Sequence, residues 1–207
     1  MSIVKLNNRG VRSATTFGSI SALGSMTFIK KLTASSSATL SFVDGASSVV
    51  LDNSYKEYMF TFKNIHGATE DAEFNFQGSI DSGSNYNVTK TSNSFRAFQN
   101  EAGSSTALAY FAANDLAQGT GFQPLGDENQ SNDNDHGQCG ILYLFNPSDT
   151  TFVKHFIATN VNVHAGDYII NDYIAGYGNT TSAVDAIQFK YHNGNIDAGD
   201  ICLYGIN

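Results

Sequence analysis

The segment Asp127 to Gly137, DENQSNDNDHG, gathers four carboxylates and three asparagines into eleven residues. Oxygen donors of that kind suit a hard cation such as calcium. The segment lacks the alternating Asp-x-Asp-x-Asp-Gly order and the bidentate Glu at the twelfth position of an EF-hand, so it predicts a solvated surface loop with no metal assigned. The five histidines, His66, His136, His155, His164 and His192, show no HxH, HExxH or His-x3-His spacing for zinc, and read as structural or solvated. Serines are plentiful, yet none sits in the GxSxG turn that exposes a nucleophile beside a base. A carboxylate pair for glycoside hydrolysis could be drawn from the nineteen acids only by the fold, and no spacing locates one. Gly176-Tyr177-Gly178-Asn179-Thr180-Thr181 opens no helix, so it reads as a strand connection and not as a phosphate cradle. The sequons at Asn87, Asn129 and Asn179 follow from abundant Asn, Ser and Thr. For sugar binding, Tyr168, Tyr173 and Tyr177 could form an exposed platform, but Trp is absent and most aromatics fall on alternating strand positions, where core packing is their usual role. These readings converge on a non-enzymatic protein with no cofactor.

The elements that would carry these residues are strands. From Met26 onward, short runs alternate with period two between Gly, Asn, Asp and Ser punctuation: Thr27 to Leu32, Ala38 to Val43, Tyr55 to Ile65, Glu73 to Gln77, Tyr86 to Lys90, Phe95 to Gln99, Gly140 to Phe145, Thr151 to Ala158, Tyr168 to Ile174, Ala183 to His192 and Asp200 to Tyr204. Tyr58, Phe60 and Phe62 alternate with Met59, Thr61 and Lys63, and Phe74 and Phe76 repeat the pattern. Phe60, Phe62, Phe74, Phe76, Ile187 and Phe189 are therefore the predicted core. His192-Asn193-Gly194-Asn195 offers turn chemistry between the last two runs and predicts a closing hairpin. Ser104 to Gln118 mixes helical and alternating spacing and allows one short helix. The expected architecture is an all-β, two-sheet antiparallel sandwich of jelly-roll or Greek-key type over residues 26–207, with a closed barrel as the alternative.

Charge separates an N-terminal arm, residues 1–25, from that body. Formal charge is +5 up to Val43 and −13 beyond it, together −8, because the first acid is Asp44. Gly10, Gly18 and the Asn7-Asn8 pair make the leader an extended arm. Its basic residues Lys5, Arg9 and Arg12, with the apolar Val4, Leu6, Val11 and Phe17, are the candidate partner-binding set. The acidic body argues against nucleic acid as a partner. The longest apolar run, Ile141 to Phe145, is far too short to span a bilayer, and no membrane partner is expected. Gly10 and Gly18 argue against an amphipathic transit peptide, and Arg12 and Ser13 interrupt any apolar signal core, so the chain is expected to be made in a cytoplasm. Cys139 and Cys202 form no CxxC and read as buried free thiols. Only 14% of residues are charged, so Ser, Thr, Asn and Gly must cover the surface, which suits a protein that packs among copies of itself.

Several stretches resemble small structural proteins of tailed bacteriophages, especially marine phages of cyanobacteria. They are VKLNNRGVRSATTFGSI at Val4 to Ile20, SYKEYMFTFKNIH at Ser54 to His66, SGSNYNVTKT at Ser82 to Thr91, SFRAFQNE at Ser94 to Glu101, LFNPSDTTFVKHF at Leu144 to Phe156, and IAGYGNTTSAVDAIQFK at Ile174 to Lys190. The resemblance implies a virion component, assembled in the host cytoplasm, whose partner is a major capsid or tail protein. Head decoration or cement is favoured over a tail-fibre module, because one short domain lacks a long shaft. The alternative is a receptor-binding module whose loops recognise a host glycan or surface protein. Open sandwich edges call for a homo-oligomer, and analogy with phage surface proteins makes it a trimer.

Overall fold

The computed structural model describes residues 25–207, so the arm residues Val4, Lys5, Leu6, Arg9, Val11, Arg12 and Phe17 lie outside the described part. Thirteen strands follow in order: β1 (Met26–Thr33), β2 (Leu40–Val43), β3 (Glu57–Gly67), β4 (Phe74–Ser79), β5 (Lys90–Asn100), β6 (Thr106–Tyr110), β7 (Ala117–Gly119), β8 (Gln123–Pro124), β9 (Gln138–Phe145), β10 (Lys154–His164), β11 (Tyr168–Gly178), β12 (Ala186–Tyr191) and β13 (Ile196–Ile206). They form two antiparallel sheets. The larger runs β1-β13-β3-β9-β10-β11-β5-β6, with β7 also on β5; the smaller runs β2-β12-β4-β8. The chain shuttles between the layers, and the alternating aromatics decide which face turns inward.

Phe189 on β12 holds the two layers together. Its ring meets Phe60 and Phe62 of β3 edge-on at 5.3 Å, stacks on Phe74 of β4 at 5.8 Å, and faces Phe42 of β2 at 6.2 Å. Phe76 reaches Phe156 of β10 at 5.1 Å. All six predicted core residues are buried. Aromatic edge and face contacts of this kind add to the area they remove from water.

Three local expectations are corrected. Ser104 to Gln118 folds as strand β6 followed by one 3-10 turn over Ala112–Asn114, because β6 pairs along its length with β5 and no helical face is buried. Tyr86 to Thr89 is not a strand; ladder pairing begins at Lys90, opposite Gly178. The closing hairpin is not formed. Turn 192–195 carries the chain from the small sheet to the large one: β12 pairs with β2 and β4, while β13 pairs with β1 and β3. Gly194 sits there at φ 76°, where a β-carbon would also run into Thr69.

The small sheet covers one end of the large sheet's inner face. Over β5, β10 and β11 the cover is the segment from Phe111 to Gly137. Gln138 Nε2 donates to the Leu125 carbonyl at 2.9 Å, Asn114 Nδ2 to the Gly126 carbonyl at 2.9 Å, and the Ser131 amide to the Val163 carbonyl at 3.0 Å.

Candidate functional site

Under that segment the large sheet turns polar. Asp172 of β11 stands opposite Arg96 of β5 and Asn160 of β10, so the three side chains share the inner face. Arg96 lies over the Phe111 ring, 3.7 Å from its centroid, and pairs with the buried carboxylate of Asp127. His164 Nε2 is 3.8 Å from Asp127 Oδ1. The Gly166 N–H donates to His164 Nδ1 at 2.8 Å, which leaves the proton of a neutral ring on Nε2, facing the carboxylate. Burial, and then the Arg96 charge, hold this imidazole below its ordinary pKa. Burial pushes the Asp172 carboxyl up to about 6, against a 2.7 Å bond from Asn162 Nδ2 and the pull of Arg96.

The loop expected to be solvated is therefore anchored at one end: Asp127, Gln130 and Ser131 are buried, while Asp135 is exposed. The Arg96 ion pair and the Ser131 ladder bond draw it down. A hollow of about 220 Å³ opens beside this cluster, lined by Arg96, Phe98, Ser105, His164, Tyr168 and Ile170. Neither carboxylate lines it. The cluster is thus built to hold the covering segment, and presents no acid and base side by side to a substrate.

A second cleft, about 440 Å³, contains His66, His136, Asp135 and Asp197. His66 Nδ1 is 3.6 Å from Asp197 Oδ2, and His136 Nε2 is 3.9 Å from Asp135 Oδ1. Among the described residues no three His, Cys, Asp or Glu side chains converge as metal ligands.

Two lysines are interior. Lys90 Nζ donates to the Gly121 carbonyl at 3.0 Å, to the Val88 carbonyl at 3.2 Å and to Gln77 Oε1, and burial pushes it down to about 7. Lys154 Nζ donates to the carbonyls of Phe152 and Thr180 at 2.7 and 3.3 Å. Both ammonium groups cap loop carbonyls that would otherwise be buried without donors.

The outer face of the large sheet is different in kind. Across β6, β5, β11, β10 and β9 the registers align three central rows. These are Tyr110, Phe95, Tyr173, Thr159 and Ile141; Leu108, Ala97, Asn171, Val161 and Cys139; and Asn93, Ala175, Ile157 and Tyr143. The flanking rows add Thr106, Gln99, Ile169 and Val163 at one end, and Thr91, Tyr177, His155 and Phe145 at the other. No Asp, Glu, Lys or Arg points outward from these five strands; Asp115, hydrogen-bonded by the Tyr110 hydroxyl, stands at the rim. An antiparallel sheet that faces water normally alternates apolar-in with polar-out. Here Leu108 is 73% exposed, Tyr110 62%, Ile157 49% and Phe95 44%. Tyr173 and Tyr177 both belong to this face, Tyr177 at the border of the hollow over Ala175, whereas Tyr168 turns inward to line the Arg96 hollow, so the three tyrosines form no single platform. The sequence hides the face because on β10 and β11 the polar phase, Lys154, Asn160, Asn162, His164 and Asp172, is the one that turns inward, the reverse of the usual alternation. Cys139 and Cys202 are free thiols, Cys202 buried and Cys139 partly so.

No protein-family model, no curated protein and no solved structure matches this chain.

Proposed function

We propose that the protein is a non-enzymatic structural component on the surface of a phage particle, a head decoration or cement protein held by its N-terminal arm. The observation that carries the reading is the outer face of the large sheet, where Leu108, Tyr110, Phe95, Ile157 and Tyr173 are exposed together with no charged side chain among them. A protein whose work is to be covered by neighbours has this surface. The resemblance of the stretches from Val4 to Lys190 to phage structural proteins supports the same role, and Lys5, Arg9 and Arg12 supply the cationic arm for an acidic capsid or tail partner. The test is antibody labelling, or density, of assembled particles. Regular decoration of the head supports the reading; particles without the protein contradict it.

The hollow where Tyr168 and Phe98 meet edge-on at 5.5 Å beside Arg96 and His164 favours a second reading, a module that recognises a host glycan. Binding on a glycan array separates the two.

A further inference from the structure

The outer face has relief as well as chemistry. Phe95 and Tyr173 stack with centroids 4.9 Å apart and planes 7° apart, making a ridge. Immediately along β11 the face sinks into a hollow of about 420 Å³ around Ala175 and Gly176, bordered by Ile157, His155 and Tyr177. The depth there comes from Ala175, the smallest outward side chain of β11; its neighbour Gly176 turns inward, where a β-carbon would run into the buried Phe156 ring. Ridge and hollow are two to three residues apart on one strand, roughly 7–10 Å.

We propose that this face docks on the same face of a second copy about a two-fold axis crossing β11 between Tyr173 and Gly176. Each copy's Phe95–Tyr173 ridge then seats in the other's hollow over Ala175. The inference deepens the assembly role proposed above by naming the first partner, and it rests on that reading.

Three arguments select a second copy. A surface that carries a projection and its recess side by side is self-complementary, the requirement of an isologous contact; a three-fold ring would join two different patches. Two copies of the chain, each of formal charge −8, repel, and this uncharged face is where they approach at least electrostatic cost. Five strands about 4.8 Å apart, each rising about 3.4 Å per residue, give roughly 650 Å² in plan before side-chain relief is counted. That is near the ~800 Å² each partner buries in a standard interface. The two large sheets would stack in the aligned manner of sandwich layers.

The test is light scattering on the full chain at micromolar concentration, in low and high salt, with circular dichroism as the folding control. The unaltered protein should run at twice its 22.2 kDa in both salts. Tyr173→Lys, which removes the ridge, and Ala175→Arg, which fills the hollow, should each stay folded and weaken pairing at least tenfold. Ile80→Lys, on an exposed position outside this face, should leave the pair intact. A folded monomer of the unaltered chain, a trimer, or a pair indifferent to both face variants would overturn the proposal. Particles that lack the protein while the pair persists would sink the virion reading alone. Decorated particles whose subunit is monomeric would sink the pairing alone.

Discussion

Phe95 and Tyr173 are cross-strand neighbours whose rings lie parallel, 4.9 Å apart, on the solvent side of a sheet. The same two strands place Arg96 and Asp172 opposite each other on the inner side. Apolar residues therefore face outward and charged ones inward in this part of the fold. That inversion follows from packing: the inner charges hold a covering segment, and the outer rings stay exposed.

Truncation of Phe189 tests the core. The ring touches four other aromatic rings from three strands, so Phe189→Ala opens a cavity that its neighbours cannot fill. The expected loss is about 3–5 kcal/mol, read by denaturant unfolding. An unchanged midpoint would mean that the sheets pack elsewhere.

Removing Arg96 tests the anchor of the covering segment. Asp127 is 1% exposed, and Arg96→Met leaves its carboxylate buried beside a neutral imidazole. The expected cost is roughly 3–5 kcal/mol, with accelerated proteolysis between Phe111 and Gly137. Arg96→Met combined with Asp127→Leu should recover part of that loss, because the Asp127 carboxylate is no longer left buried without its partner, while Asp172 still lacks Arg96.

Asp172 gives stability a definite pH dependence. Its carboxyl titrates near 6 when folded against an ordinary 3.8, so the native state binds more protons between those values. Stability attributable to this residue falls as pH rises from about 4 to about 6, and the cost is complete above that. Asp172→Asn should gain about 2–3 kcal/mol at pH 8, and the gain should vanish below about pH 4. Equal stability of the two proteins at pH 8 would contradict this.

The arm should govern attachment and leave the fold unaltered. Lys5→Ala, Arg9→Ala and Arg12→Ala together should weaken binding to purified partner by roughly 1–3 kcal/mol per copy, and added salt should mimic the change. Circular dichroism should stay the same. Salt-insensitive, unaltered occupancy would shift the attachment to Val4, Leu6, Val11 and Phe17.

Strands and core were legible because period-two alternation is local: Phe60, Phe62, Phe74 and Phe76 announce their inward face within a few residues. Pairing was not. Asn193-Gly194 looks like a hairpin turn, yet β12 and β13 find partners in different sheets, a choice made by contacts distant in the chain. The burial of Asp127 was equally invisible, since its partner Arg96 lies thirty-one residues earlier, on a strand whose own pattern does not single it out. The outer face was illegible because Val161, Val163 and Tyr173 alternate with Asn160, Asn162, His164 and Asp172, and the usual rule assigns such a polar phase to the wet side, whereas here it lies under the covering segment.

The most direct measurement is the native mass of the unaltered chain across the micromolar range. The account predicts a species of twice 22.2 kDa that persists in high salt and dissociates on dilution as a simple two-body equilibrium. A single 22.2 kDa species throughout would contradict it.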